Sequence, residues 1–259
     1  KLFKLNSGPF TQISHQSVGI NERINSRGRI LNAVSETEIK KVLNEAKKKG
    51  FESIAIALMN SWVSDEHESL IAKLAKEQGF NAVIKSSEMN QLIKIVARGQ
   101  AALIEAYLLP VLEKYKSQIR SLNDLNLNCF FMQSNGGLTH AREAKAINSI
   151  LSGPAGGLVA AQKVSKLLGH NEIVSFDMGG TSTDVARIDD SLPHVDIANV
   201  NGLEFHAEML DIETVAAGGG SIIKFKQGQF LAVIYCDIQH LVHLFQEITK
   251  LMLLKIRTI

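Results

Sequence analysis

The feature that most constrains this chain is the run Ile173-Val-Ser-Phe-Asp177-Met-Gly-Gly-Thr-Ser-Thr-Asp184-Val-Ala-Arg-Ile188. An apolar stretch of strand length ends on an acid, turns through paired glycines and returns as an alternating stretch, a pattern that predicts a β-hairpin with glycines at its tip. Paired glycines let backbone N–H groups approach an anion with no Cβ in the way, and neighbouring hydroxyls add donors for phosphate oxygens. An aspartate at a strand end can hold the Mg²⁺ that accompanies a polyphosphate, usually through water. A tight turn alone needs only the glycines. Two acids and three hydroxyls within the eight residues from Asp177 to Asp184 exceed that need, so the run reads as a phosphate site. It is not a P-loop, because no Gly-Lys-Ser/Thr is present and a strand rather than a helix follows.

Two further glycine clusters invite the same question. Leu151-Ser-Gly-Pro-Ala-Gly-Gly157 leads into a helical pattern that runs to Leu168. Ser152 is placed to cap that helix, Pro154 suits its first turn, and the free N–H groups there favour an anion. Close helix packing through Gly153, Gly156 and Gly157 is the equal alternative. Gly218-Gly-Gly-Ser221 precedes a strand and suits wrapping a nucleotide or a carbonyl substrate, though a plain glycine turn has the same composition. Gln133-Ser-Asn-Gly-Gly137 follows a strand end, where α/β ligand sites gather, yet also reads as a turn. His67 falls in the acidic, solvated first turn of a helix. Arg98-Gly99 reads as a surface salt bridge or an anion contact within a helical stretch, and Cys129 and Cys236 as buried small hydrophobes.

The remaining pattern is α/β. Ser35-Glu-Thr-Glu38 is a capping box, with Ser35 at the N-cap and Glu38 reaching back, and Ile39, Val42, Leu43 and Ala46 keep helical spacing until Gly50. Ser53 to Leu58 is a nearly all-apolar run of strand length, as in a sheet covered on both faces. Asp65 to Gln78 is a second helix and Ala82 to Ile84 a strand. Leu92 to Ile119 is a long helical stretch that Pro110 is expected to kink or divide. A formal net charge of +2 argues against nucleic-acid or membrane-surface binding, since neither sign dominates. Two cysteines among 259 residues suit a reducing, cytoplasmic compartment, and no uninterrupted apolar run of about 18 residues suggests a membrane span.

Taken in order, Met132-Gln-Ser-Asn-Gly-Gly-Leu138, Ser152-Gly-Pro-Ala-Gly-Gly157 and Asp177-Met-Gly-Gly-Thr-Ser-Thr-Asp-Val185 resemble the hydantoinase A/oxoprolinase family of the actin-like ATPase superfamily. Ser86-Ser-Glu88, Ile95-Val-Ala-Arg-Gly99, Glu105-Ala-Tyr-Leu-Leu-Pro110 and Leu210 to Ser221 point to its oxoprolinase branch, and the likeness runs from about residue 35 to 230. The resemblance implies an incomplete actin-like (ribonuclease H-like) lobe, with a mixed sheet and flanking helices. It implies ATP with Mg²⁺, bound through Asp177, Gly179, Gly180, Thr181, Thr183 and Asp184, with Ser152, Gly153, Gly156, Gly157 and Gly218, Gly219, Gly220, Ser221 beside them and Asp177 on the metal. The implied reaction opens a small cyclic amide, 5-oxo-L-proline, to L-glutamate. Phosphoryl transfer to the amide oxygen makes a leaving group of an otherwise unreactive lactam oxygen. N-methylhydantoinase and acetone-carboxylase type subunits, and an inactive nucleotide-binding fragment, are the alternatives.

Departures from the family's pattern matter as much. An earlier Asp-x-Gly-Gly-Thr hairpin is usual, and this chain holds only the one at Asp177. The expected organisation is therefore the end of an N-terminal domain over 1–120, an ATPase lobe over 121–230 and a divergent tail over 231–259, as from a shifted reading frame. Implied partners are the missing N-terminal lobe, a hydantoinase B-like domain or subunit, and further copies in a homo-oligomer; little or no turnover is expected of this chain alone. Asn135 stands where aspartate is frequent.

Overall fold

The structure, a computed structural model, describes residues 16–121, 128–200, 203–226, 229–234 and 251–256. These form two units. The first begins with β1 (Gln16–Ile20) and the short pair β2 (Arg23–Ile24) and β3 (Ile30–Asn32), followed by α1 (Glu36–Lys48), β4 (Ser53–Ala57), α2 (Glu66–Glu77), β5 (Ala82–Lys85), the single turn α3 (Ser86–Met89) and the long α4 (Ile95–Ser121). Ser35 caps α1 as its sequence predicts, its Oγ accepting from the Glu38 N–H at 3.4 Å. Gly50 and Gly79 take φ of +76° and +77° where α1 and α2 stop, a conformation open to glycine at little cost.

Strand β4 is buried along its whole length, and its alternation decides how the unit is layered. Ile54 and Ile56 face the cluster made with Ile39 and Leu43 of α1 and Ile71 and Leu74 of α2. Ala55 faces the other way, onto Ala102 and Ala106 of α4. Small residues on that side let the long helix lie close: a Cβ on Gly99 would sit 3.2 Å from the Ala57 Cβ. Pro110 stands inside a continuous α4 and does not divide it. The helix is long and apolar enough over Ile95–Ile119 to cross a membrane, which a search for uninterrupted apolar runs passes over, and here its alanine face packs on the sheet.

Two polar residues expected at the surface are buried. Arg98 is completely enclosed, so it is neither a surface ion pair nor an anion contact. Its guanidinium donates to the carbonyls of Leu58, Leu92 and Ile93 and to the hydroxyls of Ser61 and Ser86. Glu68, also enclosed, accepts from the Leu58 N–H at 2.9 Å, the Ser86 hydroxyl at 2.6 Å and the Ser87 N–H at 3.0 Å. Burial pulls the Arg98 pKa below its ordinary value and the Glu68 charge opposes the shift. His67 is not solvated either: it is buried with its Nδ1 2.7 Å from Glu22 Oε2. The acidic run Asp65 to Glu68 turns His67 and Glu68 inward and leaves Asp65 and Glu66 exposed, because the helix face, not the local polarity, sets direction.

There follow β6 (Phe130–Met132) and β7 (Leu138–His140), a 3₁₀ turn at Ile147–Ser149, α5 (Ser152–Leu167), and then β8 (Glu172–Met178), β9 (Thr183–Asp189), β10 (His194–Val200), β11 (Leu203–Leu210), β12 (Glu213–Val215), β13 (Ser221–Lys226) and β14 (Gln229–Ile234), all in the second unit except the end of β10 from Ala198 and the start of β11 to His206, which count with the first. Strands β12, β9 and β8 make an antiparallel sheet in that order. Ala155 and Leu158 of α5 pack on Ala186 and Ile188 of β9 and Leu210 of β11. The final strand, β15 (Leu251–Ile256), belongs to the first unit, whose parallel sheet has the order β1-β15-β4-β5. Cys129 is half-buried rather than buried, and Cys236 lies outside the described residues.

Removing the Arg98 side chain strands the Glu68 charge in the interior, which typically costs about 3–5 kcal/mol. Urea unfolding of Arg98→Ala is expected to show a loss of that size, whereas a loss below about 1 kcal/mol, the level of an exposed ion pair, would contradict the network.

Candidate functional site

The hairpin predicted from Ile173 to Ile188 is present as β8 and β9, paired from Glu172 with Asp189 to Met178 with Thr183. Its tip is residues 179–182, closed by the Gly179 N–H donating to the Ser182 carbonyl at 2.9 Å. Register places Asp177 directly across from Asp184. Like charges facing each other across an antiparallel pair are destabilising by a few tenths to about 1 kcal/mol, a repulsion that a bound cation relieves. Thr214 of β12 donates its hydroxyl to Asp184 Oδ1 at 2.7 Å and fixes that carboxylate.

The third glycine cluster lies against the tip. The Gly219 N–H donates to the Gly179 carbonyl at 2.9 Å and the Gly220 N–H to the Gly180 carbonyl at 2.8 Å. A Cβ on Gly218 would stand 2.5 Å from the Gly179 carbonyl oxygen and 2.8 Å from the Thr181 nitrogen, closer than real Cβ atoms come. Only glycine allows this backbone-on-backbone contact. Thr183, buried, gives its hydroxyl to the Ala217 carbonyl at 2.6 Å, and Ser221 accepts the Gly218 N–H at 3.0 Å. The Thr183 hydroxyl and the Gly218, Gly219 and Gly220 N–H groups are therefore committed inside the protein. Among the described residues, the amides of Gly180, Thr181 and Ser182 make no hydrogen bond.

The second cluster arrives from another direction. Ser152 is the first residue of α5 and Leu151 holds the N-cap position, with no side-chain cap bond, so the expected Ser152 cap is not formed. Ser134 supplies the anchoring instead: its N–H and hydroxyl both donate to the Asn148 carbonyl, and its Oγ accepts from the Leu151 N–H at 3.3 Å. The Gln133 to Gly137 segment is thus the β6–β7 turn, and it holds the approach to α5; Gly136 takes φ of +81° there. Asn135 accepts from the Gly137 N–H and donates to Glu208 Oε2 at 3.2 Å, a donation aspartate would lack. Gly157 comes so near β8 that a Cβ there would lie 3.6 Å from Asp177 Oδ2. A cavity of about 240 Å³ opens at this point, lined by Pro154, Gly157, Ser175, Asp177, Asp184 and Ile212.

The three clusters, spread in sequence from Ser152 to Ser221, are brought together in this unit. The cavity holds the two carboxylates, which suit a hydrated Mg²⁺, against the side of α5 at Pro154 and Gly157, with the free amides of the α5 N-terminus one turn away at Ser152 and Gly153. The volume fits a phosphate chain rather than a whole nucleotide, since pockets for drug-sized ligands begin near 300 Å³. Thr214 and Ser134 were not distinguished in the sequence, and isolated hydroxyl residues give no pattern to find them by.

This mixed α/β fold is shared with known proteins. The sequence matches the hydantoinase/oxoprolinase N-terminal region over residues 1–79 and the hydantoinase/oxoprolinase domain over residues 98–233. The chain belongs to the hydantoinase/oxoprolinase family. It is 39% identical over 219 residues to 5-oxoprolinase of Dictyostelium discoideum, and 40% identical over 206 residues to 5-oxoprolinase 1 of Arabidopsis thaliana. Each alignment covers 78% of this chain but only 17% and 16% of those proteins, so the chain spans about a sixth of their length. The acetophenone carboxylase gamma subunit of Aromatoleum aromaticum is 27% identical over 80% of the chain and 30% of that subunit. In three dimensions, the ATP-dependent caprolactamase of Pseudomonas jessenii superposes with a TM-score of 0.69 at 26% identity, covering 82% of this chain and 32% of that one. A nucleotide-free acetone carboxylase shares the fold, with a TM-score of 0.71 at 22% identity, over 83% and 32%.

Two glycine substitutions separate bracing from ligand contact. Gly218→Ala forces a methyl into backbone and is expected to destabilise the protein by about 1–3 kcal/mol. Gly153, with nothing within 4 Å of its Cβ position, should accept alanine with unchanged or slightly higher stability. Thermal unfolding of both variants checks this, and equal effects would contradict it.

Proposed function

We propose that this chain carries part of the nucleotide site of an ATP-dependent amidohydrolase that opens a small cyclic amide, 5-oxo-L-proline, to L-glutamate. The observation that carries the reading is the meeting of the Asp177 to Asp184 hairpin with α5 at two facing carboxylates, while Gly218 to Ser221 brace the hairpin tip. Direct phosphate contact falls to the uncommitted amides of Gly180, Thr181 and Ser182, with Gly179 shaping the tip, Ser152 and Gly153 offering the first turn of α5, and Gly156 and Gly157 letting that helix pass close to Met132 and Asp177. Asp177, helped by Asp184, holds Mg²⁺ through water. Thr183 and Gly218 to Ser221 serve by bracing the tip. ATP supplies the phosphoryl group that activates the amide oxygen; this chain's residues position the phosphates and neutralise their charge.

Names of relatives support the substrate class: 5-oxoprolinases at 39% and 40% identity, and a caprolactamase, whose name denotes a lactam. A second reading, a carboxylase-type subunit acting with a separate partner chain, is favoured only by the weaker 27% likeness to the acetophenone carboxylase subunit. Turnover requires a second phosphate-binding lobe, a hydantoinase B-like partner and assembly beyond this chain, in a reducing, cytoplasmic setting.

Isothermal titration of the 259-residue protein with ATP tests the reading. Binding is expected to require Mg²⁺ and to weaken about tenfold or more in Asp177→Asn, the scale of one lost charge-assisted contact, with the circular-dichroism spectrum unchanged and no ring opening of 5-oxoproline. No heat at millimolar nucleotide from a folded protein would leave the site without this role, and ATP-dependent ring opening by the chain alone would overturn the need for a second lobe.

A further inference from the structure

The parallel sheet of the first unit is threaded in an unexpected way. Strands β1 and β4 are not neighbours; β15 lies between them, paired with β1 from Gln16 with Met252 to Ile20 with Ile256, and with β4 from Ser53 with Leu251 to Ala57 with Lys255. Strand β4 is buried along its whole length, with Ile54, Ala55 and Ile56 all at 0% exposure. Both β1 and β4 lie in the stretch that matches the family's N-terminal region, residues 1–79, whereas β15 lies beyond residue 233, outside both matched stretches. Buried backbone N–H and C=O groups are almost always paired, so β1 and β4 held at this spacing need a strand between them.

We infer that the first unit contains a strand-acceptor slot between β1 and β4, which β15 fills in place of a strand that the longer relatives take from elsewhere in their own chains. The slot recognises its occupant through main-chain hydrogen bonds on both edges and asks only for a short parallel strand that is apolar on both faces. Leu251-Met-Leu-Leu-Lys-Ile256 has that composition in all but Lys255, next to its end. Recognition by backbone explains how a segment without family likeness can serve. Parallel pairing also suits a remote segment, because parallel neighbours cannot be joined by a tight turn. This inference does not depend on the nucleotide reading.

Hydrogen exchange on the intact 259-residue protein tests it. The amides of Met252 to Lys255 are expected to be protected to within about tenfold of those in β5, as members of one cooperative unit. Exchange of β15 at the rate of unstructured chain, with β4 still protected, would overturn the inference. In Leu253→Pro, which removes an N–H in mid-strand, protection of β4 should fall about tenfold or more while that of β8 and β9 stays. Adding a peptide of sequence Leu251–Ile256 should restore it, and the same peptide carrying proline at the third position should not. Undiminished β4 protection in the variant, or equal rescue by both peptides, would equally refute the slot.

Discussion

The second unit depends on one contact, the approach of Gly218 and Gly220 to the hairpin tip within a distance that no side chain permits. That contact occupies the Gly219 and Gly220 amides and the Gly179 and Gly180 carbonyls, and so leaves the glycine carbonyls of the tip satisfied and the amides of Gly180, Thr181 and Ser182 free. A glycine turn on its own would be mobile, and its amides would lose conformational freedom on meeting an anion. Bracing removes that cost beforehand, which is how preorganised sites gain affinity without new contacts.

The first unit is held by different means. A strand buried on both faces divides large residues from small ones, isoleucines toward α1 and α2 and alanines toward α4. At its end, where the chain leaves the sheet, Arg98 and Glu68 bind the Leu58 carbonyl and N–H from opposite sides. A buried pair of this kind adds little net stability over an apolar substitute, but it tolerates only one geometry. It fixes the turns carrying Ser61 and Ser86 to the start of α4.

Much of this was legible in the sequence, and the failures have physical causes. The hairpin, the buried strand at Ser53 and the helices from Ser35 and Asp65 follow from local rules of periodicity, glycine and capping. Arg98 and His67 were misread because local polarity says nothing about partners 40 or 45 residues away, such as Leu58 and Glu22. Ser152 was misread because a serine before a helix usually caps it, and here Ser134, 17 residues from Leu151, does the anchoring. The glycines of Gly218 to Gly220 were recognised as special, but the sequence could not tell contact with a ligand from contact with another backbone. Nor could periodicity place β15, whose partners are read by the main chain.

Backbone-amide NMR during a titration with ATP and Mg²⁺ measures the proposed convergence most directly. If the three clusters form one site, the amides of Gly180, Thr181, Ser182, Gly153 and Gly157 shift together with a single dissociation constant. Gly219 and Gly220, already bonded within the protein, then move less. Shifts confined to one cluster, or different constants for the hairpin and the α5 N-terminus, would show that the glycine clusters meet for packing alone.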